Sequence, residues 1–106
     1  MVELPQNGEI EEALERALER QANKPLRASE AYKILADAFA LTADQRNAQI
    51  LTASGRENLW ENRCRTAREN LAKKGWMRRS PRDAWAMTQR RWKARTELPN
   101  LNALGL

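Results

Sequence analysis

A mainly α-helical domain with one small β-hairpin is the fold class predicted by this 106-residue sequence, on three observations. First, Trp60, Cys64, Ala67 and Leu71 recur at helical spacing and form a single apolar stripe over the stretch 54–73. Second, Trp76-Met77-Arg78-Arg79 and Ala84-Trp85-Ala86-Met87-Thr88 read as two short strands, joined by the turn formers Ser80-Pro81-Arg82-Asp83. Third, further amphipathic patterns precede the long helix with short connections between them. A helix followed by a basic hairpin is the functional half of a winged helix-turn-helix. In that arrangement the helix enters a DNA groove and the hairpin lies along the backbone.

Taken in order, residues 1–7 form a loose leader, because Pro5 and Asn7-Gly8 break regular structure. The domain proper is expected over 8–97. Its first helix runs from about Gly8 to Gln21, with Ile10, Leu14, Ala17 and Leu18 inward and Glu9, Glu11 and Glu12 suiting its positive N-terminus. Asn23-Lys24-Pro25 stops it, and Leu26-Arg27-Ala28 can add a short strand to the hairpin. Ser29 is expected to cap a second helix that turns Ala31, Ile34, Leu35, Ala38 and Phe39 inward, with Tyr32 half-buried beside them. Thr42 and Gln45 have the spacing of a capping box and open a short helix expected to reach Leu51.

The long helix is expected to start at Ser54, with Glu57 completing a second capping box. It ends at Lys73-Lys74-Gly75, where cations meet the negative helix end and glycine permits a left-handed turn. In the second wing strand Trp85 and Met87 alternate with Ala84 and Ala86, so one face can pack on the helix. Thr88 caps a last helix to about Glu97, Trp92 packs back on the domain, and Pro99 leaves 98–106 as a tail or linker. All four tryptophans fall at core or near-core positions; Trp60 is the one best placed to meet a base.

Charge is unevenly distributed. Residues 1–40 hold eight acidic and five basic side chains, net −3, whereas 41–106 hold six acidic and fourteen basic ones, net +8. A basic half of this kind implies a polyanionic partner. Opposite the apolar stripe, the long helix presents Asn58, Asn62, Arg65 and Thr66 as base-reading candidates. Asparagine pairs with adenine N6 and N7, arginine with guanine O6 and N7, and threonine can touch a methyl group. Arg56, Arg63, Arg68 and Lys73, with Arg78, Arg79, Ser80 and Arg82 of the hairpin, are the backbone candidates.

Catalytic chemistry has little to work with. There is no histidine, the single Cys64 lies on the buried stripe, and no glycine-rich phosphate loop is present. Glu11, Glu12 and Glu15 imitate a metal cluster, but helix dipole and solvation explain them. No cofactor is expected. No apolar run approaches the ~20 residues of a membrane span, and there is no signal-peptide pattern. The chain is expected to be cytoplasmic.

The run LTADQRNAQILTASGRENLWENRCRTARENLAKKGWMRRSPRDAWAMT resembles the N-terminal domain of Mrr-type restriction proteins. The shared pattern is carried by Leu41-Thr42, Ser54-Gly55, Asn62-Arg63, Arg68, Leu71, Gly75, Ser80-Pro81, Trp85 and Thr88, within roughly residues 10–92. Three positions depart from it: Thr66 replaces a tryptophan, Arg82-Asp83 replaces Arg-Gly, and Arg91 replaces a glycine. The resemblance implies recognition of duplex DNA, including modified bases, in a prokaryotic restriction system. It also implies a nuclease in a separate domain or subunit, so this chain is not itself an enzyme. Two other functions fit a winged helix: a transcription regulator, or a module whose basic face meets an acidic protein.

Overall fold

Helical apolar stripes can be buried only against one another, and here they close on a shared core. The computed structural model describes residues 3–103. It is mainly helical, with α1 at Asn7–Arg20, α2 at Ala28–Ala38, α3 at Ala43–Asn47, β1 at Gln49–Thr52, β2 at Gly55–Asn58, α4 at Leu59–Lys73 and α5 at Gln89–Ala103. Ile10, Leu14, Ala17 and Leu18 of α1 face Trp60, Cys64, Ala67 and Leu71 of α4, and Ala31 and Leu35 of α2 close the cluster. Full burial of a leucine in such a core is worth about 1.5–3 kcal/mol. The four-residue stripe expected on the long helix is buried as predicted. Trp60 is part of it, with its indole Nε1 donating to the Tyr32 carbonyl and its ring edge-on to Phe39.

The segment after α4 is held by single bridges rather than by regular strands. Met77 pairs with Met87, and Leu26 pairs with Trp85, so the strand expected at 26–28 is reduced to one residue. Arg78 N donates to the Ala86 carbonyl at 2.9 Å, and Thr88 N donates to the Trp76 carbonyl at 3.0 Å. Trp85, Ala86 and Met87 are all buried, so the expected alternation of faces is lost as this segment passes through the core. The Ser80–Pro81 peptide is cis. Gly75, at φ 79°, makes the left-handed turn expected after the long helix.

Several boundaries move. The regular two-stranded hairpin lies before the long helix, where β1 and β2 pair antiparallel with Leu51 opposite Arg56. The short helix therefore ends at Asn47, well before Leu51. Ser54 is not an N-cap. It sits at the hairpin turn, and Asn58 caps α4 by accepting from Glu61 N at 2.9 Å. In place of Ser29, α2 is capped from a distance, because the Asp83 carboxylate accepts from Ala28 N at 3.0 Å. Ile34 and Ala38 turn outward, and Ala36 takes the buried position. The Thr42–Gln45 capping box is present in both directions. Thr88 opens α5, which continues past Glu97 and Pro99 to Ala103. Of the expected leader and tail, residues 1, 2 and 104–106 lie outside the described residues.

α5 is fastened to α1 by charge. Glu15, only 2% exposed, accepts from Arg91 Nε at 2.7 Å and from Arg95 Nη1 at 3.1 Å. Arg95 also reaches Glu12 and Glu19. The Arg95 hydrogen bond holds the Glu12 carboxyl below its usual range, and the same bond keeps the Arg95 guanidinium firmly charged. Arg91 also stacks over the Trp76 ring, 3.5 Å from its centroid.

Candidate nucleic-acid interface

Burying one face of α4 leaves Asn62, Thr66, Glu69 and Lys73 in a line on the other, at steps of four, three and four residues. They border an open groove of about 490 Å³ together with Tyr32, Arg65, Arg82 and Trp85. Thr66 is exposed at its centre, its hydroxyl donating to the Asn62 carbonyl at 3.0 Å. The segment 78–82 stands beside the C-terminal half of this face and the β1–β2 hairpin beside its N-terminal end.

Ion pairs tie both flanking elements to the helix. Arg65 pairs with Glu57 of β2 and donates to the Tyr32 hydroxyl at 3.2 Å. That hydroxyl, followed by nearby carboxylates, holds the Arg65 guanidinium in its charged form. The hydrogen bond from the Thr52 hydroxyl, then the charge of Arg65, keeps the Glu57 carboxyl below its usual range. At the other end Arg79 pairs with Glu69 at 3.1 Å. Arg68 Nη2 donates to the carbonyls of Arg78 and Arg79 at 2.8 and 3.0 Å, while its buried Nε has no partner.

The candidates named from sequence therefore separate into groups. Asn62 and Thr66 lie on the outer face of α4 as expected. Asn58 does not lie one turn along that face. Its oxygen caps α4 and its amide donates to the Arg46 carbonyl at 2.8 Å, so both ends are engaged within the fold. Arg63 donates to the Pro5 carbonyl at 3.3 Å. Arg68 likewise donates to the carbonyls of Arg78 and Arg79, so both guanidinia, expected as phosphate contacts, hold backbone within the fold. Ser80 is exposed in the 78–82 loop.

The sequence's division into acidic and basic halves is partly cancelled by folding. Lys74 pairs with Glu11, Arg46 with Asp37, and Arg91 and Arg95 with the glutamates of α1. Among the described residues, Arg56, Lys73, Arg78 and Arg82 enter no salt bridge and all four are exposed, Lys73 and Arg82 at the border of the α4 groove. Sequence reasoning missed the restraining carboxylates Glu57 and Glu69 and the hairpin itself. The signal for the hairpin was present, since Ser54-Gly55 is a turn dipeptide following Ile50-Leu51-Thr52.

Cys64 is fully buried, and burial pushes its thiol up to about 12, so it is an inert core group. Among the described residues no cluster of His, Cys, Asp or Glu could hold a metal ion. No described helix is long and apolar enough to cross a membrane. A family model described as the Mrr N-terminal domain matches residues 10–95. No curated protein and no solved structure matches the chain.

Proposed function

From the premise that the chain belongs to the Mrr N-terminal domain family, a restriction-system-associated domain, we propose that it binds duplex DNA as a winged helix. In this reading α4 lies in the major groove and residues 78–82 form the wing on the backbone. The observation that carries it is the α4 line Asn62–Thr66–Glu69–Lys73 with Arg82 beside it, and exposed Arg56 and Arg78, free of salt bridges, on the two flanking elements. Hydrogen-bonding groups at Asn62 and Thr66, the Glu69 carboxylate paired with Arg79, and cations at Lys73 and Arg82 allow base reading and phosphate contact to be divided along the line. Asn62 offers an amide to adenine, and the Thr66 methyl offers an apolar contact to a thymine methyl or a methylated base. Modified bases are the target class suggested by the family. Binding is assigned to this chain and cleavage to a nuclease domain or subunit outside it.

Two measurements test this reading. Replacing Arg78 and Arg82 together with alanine is expected to weaken binding to all duplexes alike. It should lower the slope of log affinity against log salt by about 1.8, at roughly 0.9 per phosphate contact. An unchanged slope would remove the wing from the DNA. Asn62→Ala, by contrast, is expected to leave random-duplex binding intact and to reduce discrimination between preferred and scrambled sites by about 1–3 kcal/mol. The assay is competition at fixed salt with unmodified and methylated duplexes. Equal loss on both duplexes would make Asn62 a support for Glu57 instead. Two-fold symmetric protection of the bound site would favour a dimeric regulator over a restriction role.

A further inference from the structure

An isolated two-stranded hairpin is marginal in water, yet the one between α3 and α4 is braced at both ends. At its base Leu59 N donates to the Ala48 carbonyl at 2.8 Å, and Glu57 is anchored to Arg65 of α4. At its turn the Thr52 hydroxyl donates to Glu57 at 2.8 Å and accepts from Ser54 N at 3.3 Å. The result is a fixed finger whose strands lie about 4.8 Å apart, with only Ala53 and Ser54 in the turn.

The finger carries apolar surface that the fold does not use. Among the described residues the exposed large hydrophobics are Ile34, Ile50 and Leu51, and Leu51, at 78%, far exceeds the other two. One exposed leucine is ordinary by itself. Here it stands directly across the ladder from Arg56, an exposed guanidinium with no salt bridge, and Gln49 shares that face two residues along. Glu57, the hairpin's carboxylate, projects from the opposite face and is engaged by α4. One side of the ribbon therefore presents an aliphatic wedge, a cation and an amide with no carboxylate among them.

We propose that the β1–β2 hairpin is a second DNA-contacting element, a minor-groove finger in which Arg56 lies in the groove and Leu51 presses against a base step. The proposal rests on the duplex-binding reading above, because the hairpin leads directly into the N-terminus of α4. A minor groove about 6 Å wide admits side chains rather than the whole ribbon, so Arg56 and Leu51 reach in from a hairpin that rides on its rim. Apolar wedges beside arginine are a recurrent means of holding that groove. A protein partner fits less well, since two aliphatic side chains on a thin ribbon fall far short of a stable protein interface.

The test compares the wild-type chain with Leu51→Ser/Arg56→Ser and with Arg78→Ala/Arg82→Ala, on a mixed-sequence duplex at low salt with hydroxyl-radical footprinting. The hairpin variant is expected to keep the wild-type Tm, bind about tenfold more weakly, and lose a patch of minor-groove protection that the wing variant retains. Wild-type binding with an unchanged affinity and footprint in the hairpin variant would overturn the finger alone. No wild-type binding to any duplex would overturn the finger and the DNA reading together. Unchanged DNA binding with lost association to a nuclease partner would assign the surface to protein and overturn the proposal.

Discussion

Glu15→Ala is expected to destabilise the domain by about 3 kcal/mol, at the low end of the ~3–5 kcal/mol for breaking a buried ion pair. The mechanism is loss of the shared acceptor. Arg91 and Arg95 both donate to Glu15, and without it Arg91 keeps no carboxylate while Arg95 keeps Glu12 and Glu19. The arginine side chains are 20% and 15% exposed, so water offsets part of the cost. For a domain of this size Tm should fall by on the order of 10–20 °C. Glu9→Ala, on the exposed face of the same helix, is the control. Equal losses from the two variants would mean that α5 does not depend on Glu15 for its docking. Glu15→Gln should fall between them, because an amide preserves shape and one acceptor but not charge.

A still larger effect is expected from Leu71→Asp. The side chain is 1% exposed on the α4 stripe, so the substitution removes about 2–5 kcal/mol of packing and buries an unpaired carboxylate. Against the 5–15 kcal/mol total of a typical domain, this should abolish cooperative thermal unfolding. Lys73→Asp, two residues on, changes an exposed group in the last turn and should cost only about 0.3–1 kcal/mol through the helix dipole. It should nevertheless weaken duplex binding and lower the salt slope. Comparable thermal losses in both variants would mean that α4 is rotated from the orientation described.

Features set by neighbours in sequence were legible. The stripes of α1 and α4, the Thr42–Gln45 capping box and the left-handed turn at Gly75 depend on residues within a few positions of one another. What escaped had a local competitor or a distant partner. Ser54 and Glu57 have capping-box spacing, and their side chains do meet, at 3.4 Å, but across a hairpin turn. Asn58 then takes the cap four residues later. Asp83 reaches the start of α2 across 55 positions, and Arg91 reaches Glu15 across 76. Periodicity carries no information about such pairs. Each bond needs a side chain that glycine at 83 or 91 could not supply.

For the site, helix phase correctly placed Asn62 and Thr66 outward. It could not reveal that Arg63, Arg65, Arg68 and Arg79 are engaged within the chain, because a long cationic side chain reaches whatever acceptor the fold brings near it. Cation identity was readable from sequence. Cation availability was not.

The hold of Arg68 on the 78–79 backbone bears on how mutations in this face combine. One guanidinium nitrogen holds two successive carbonyls of the 78–79 backbone, and lysine, a point charge on a flexible stem, does not reproduce that planar fork. Arg65 and Glu69, on the same helix, fix the hairpin and Arg79. Three outward positions of α4 thus also determine where its neighbours stand. Altering a residue there changes both its own side chain and the geometry of an element next to it, so single substitutions carry correlated effects. Asn62, Thr66 and Lys73 hold neither flank through a salt bridge, so substituting them leaves the ion pairs of both flanks in place. Epistasis in this surface is therefore expected to concentrate at 65, 68 and 69 and between the neighbours 62 and 66, with near-additive behaviour at 73.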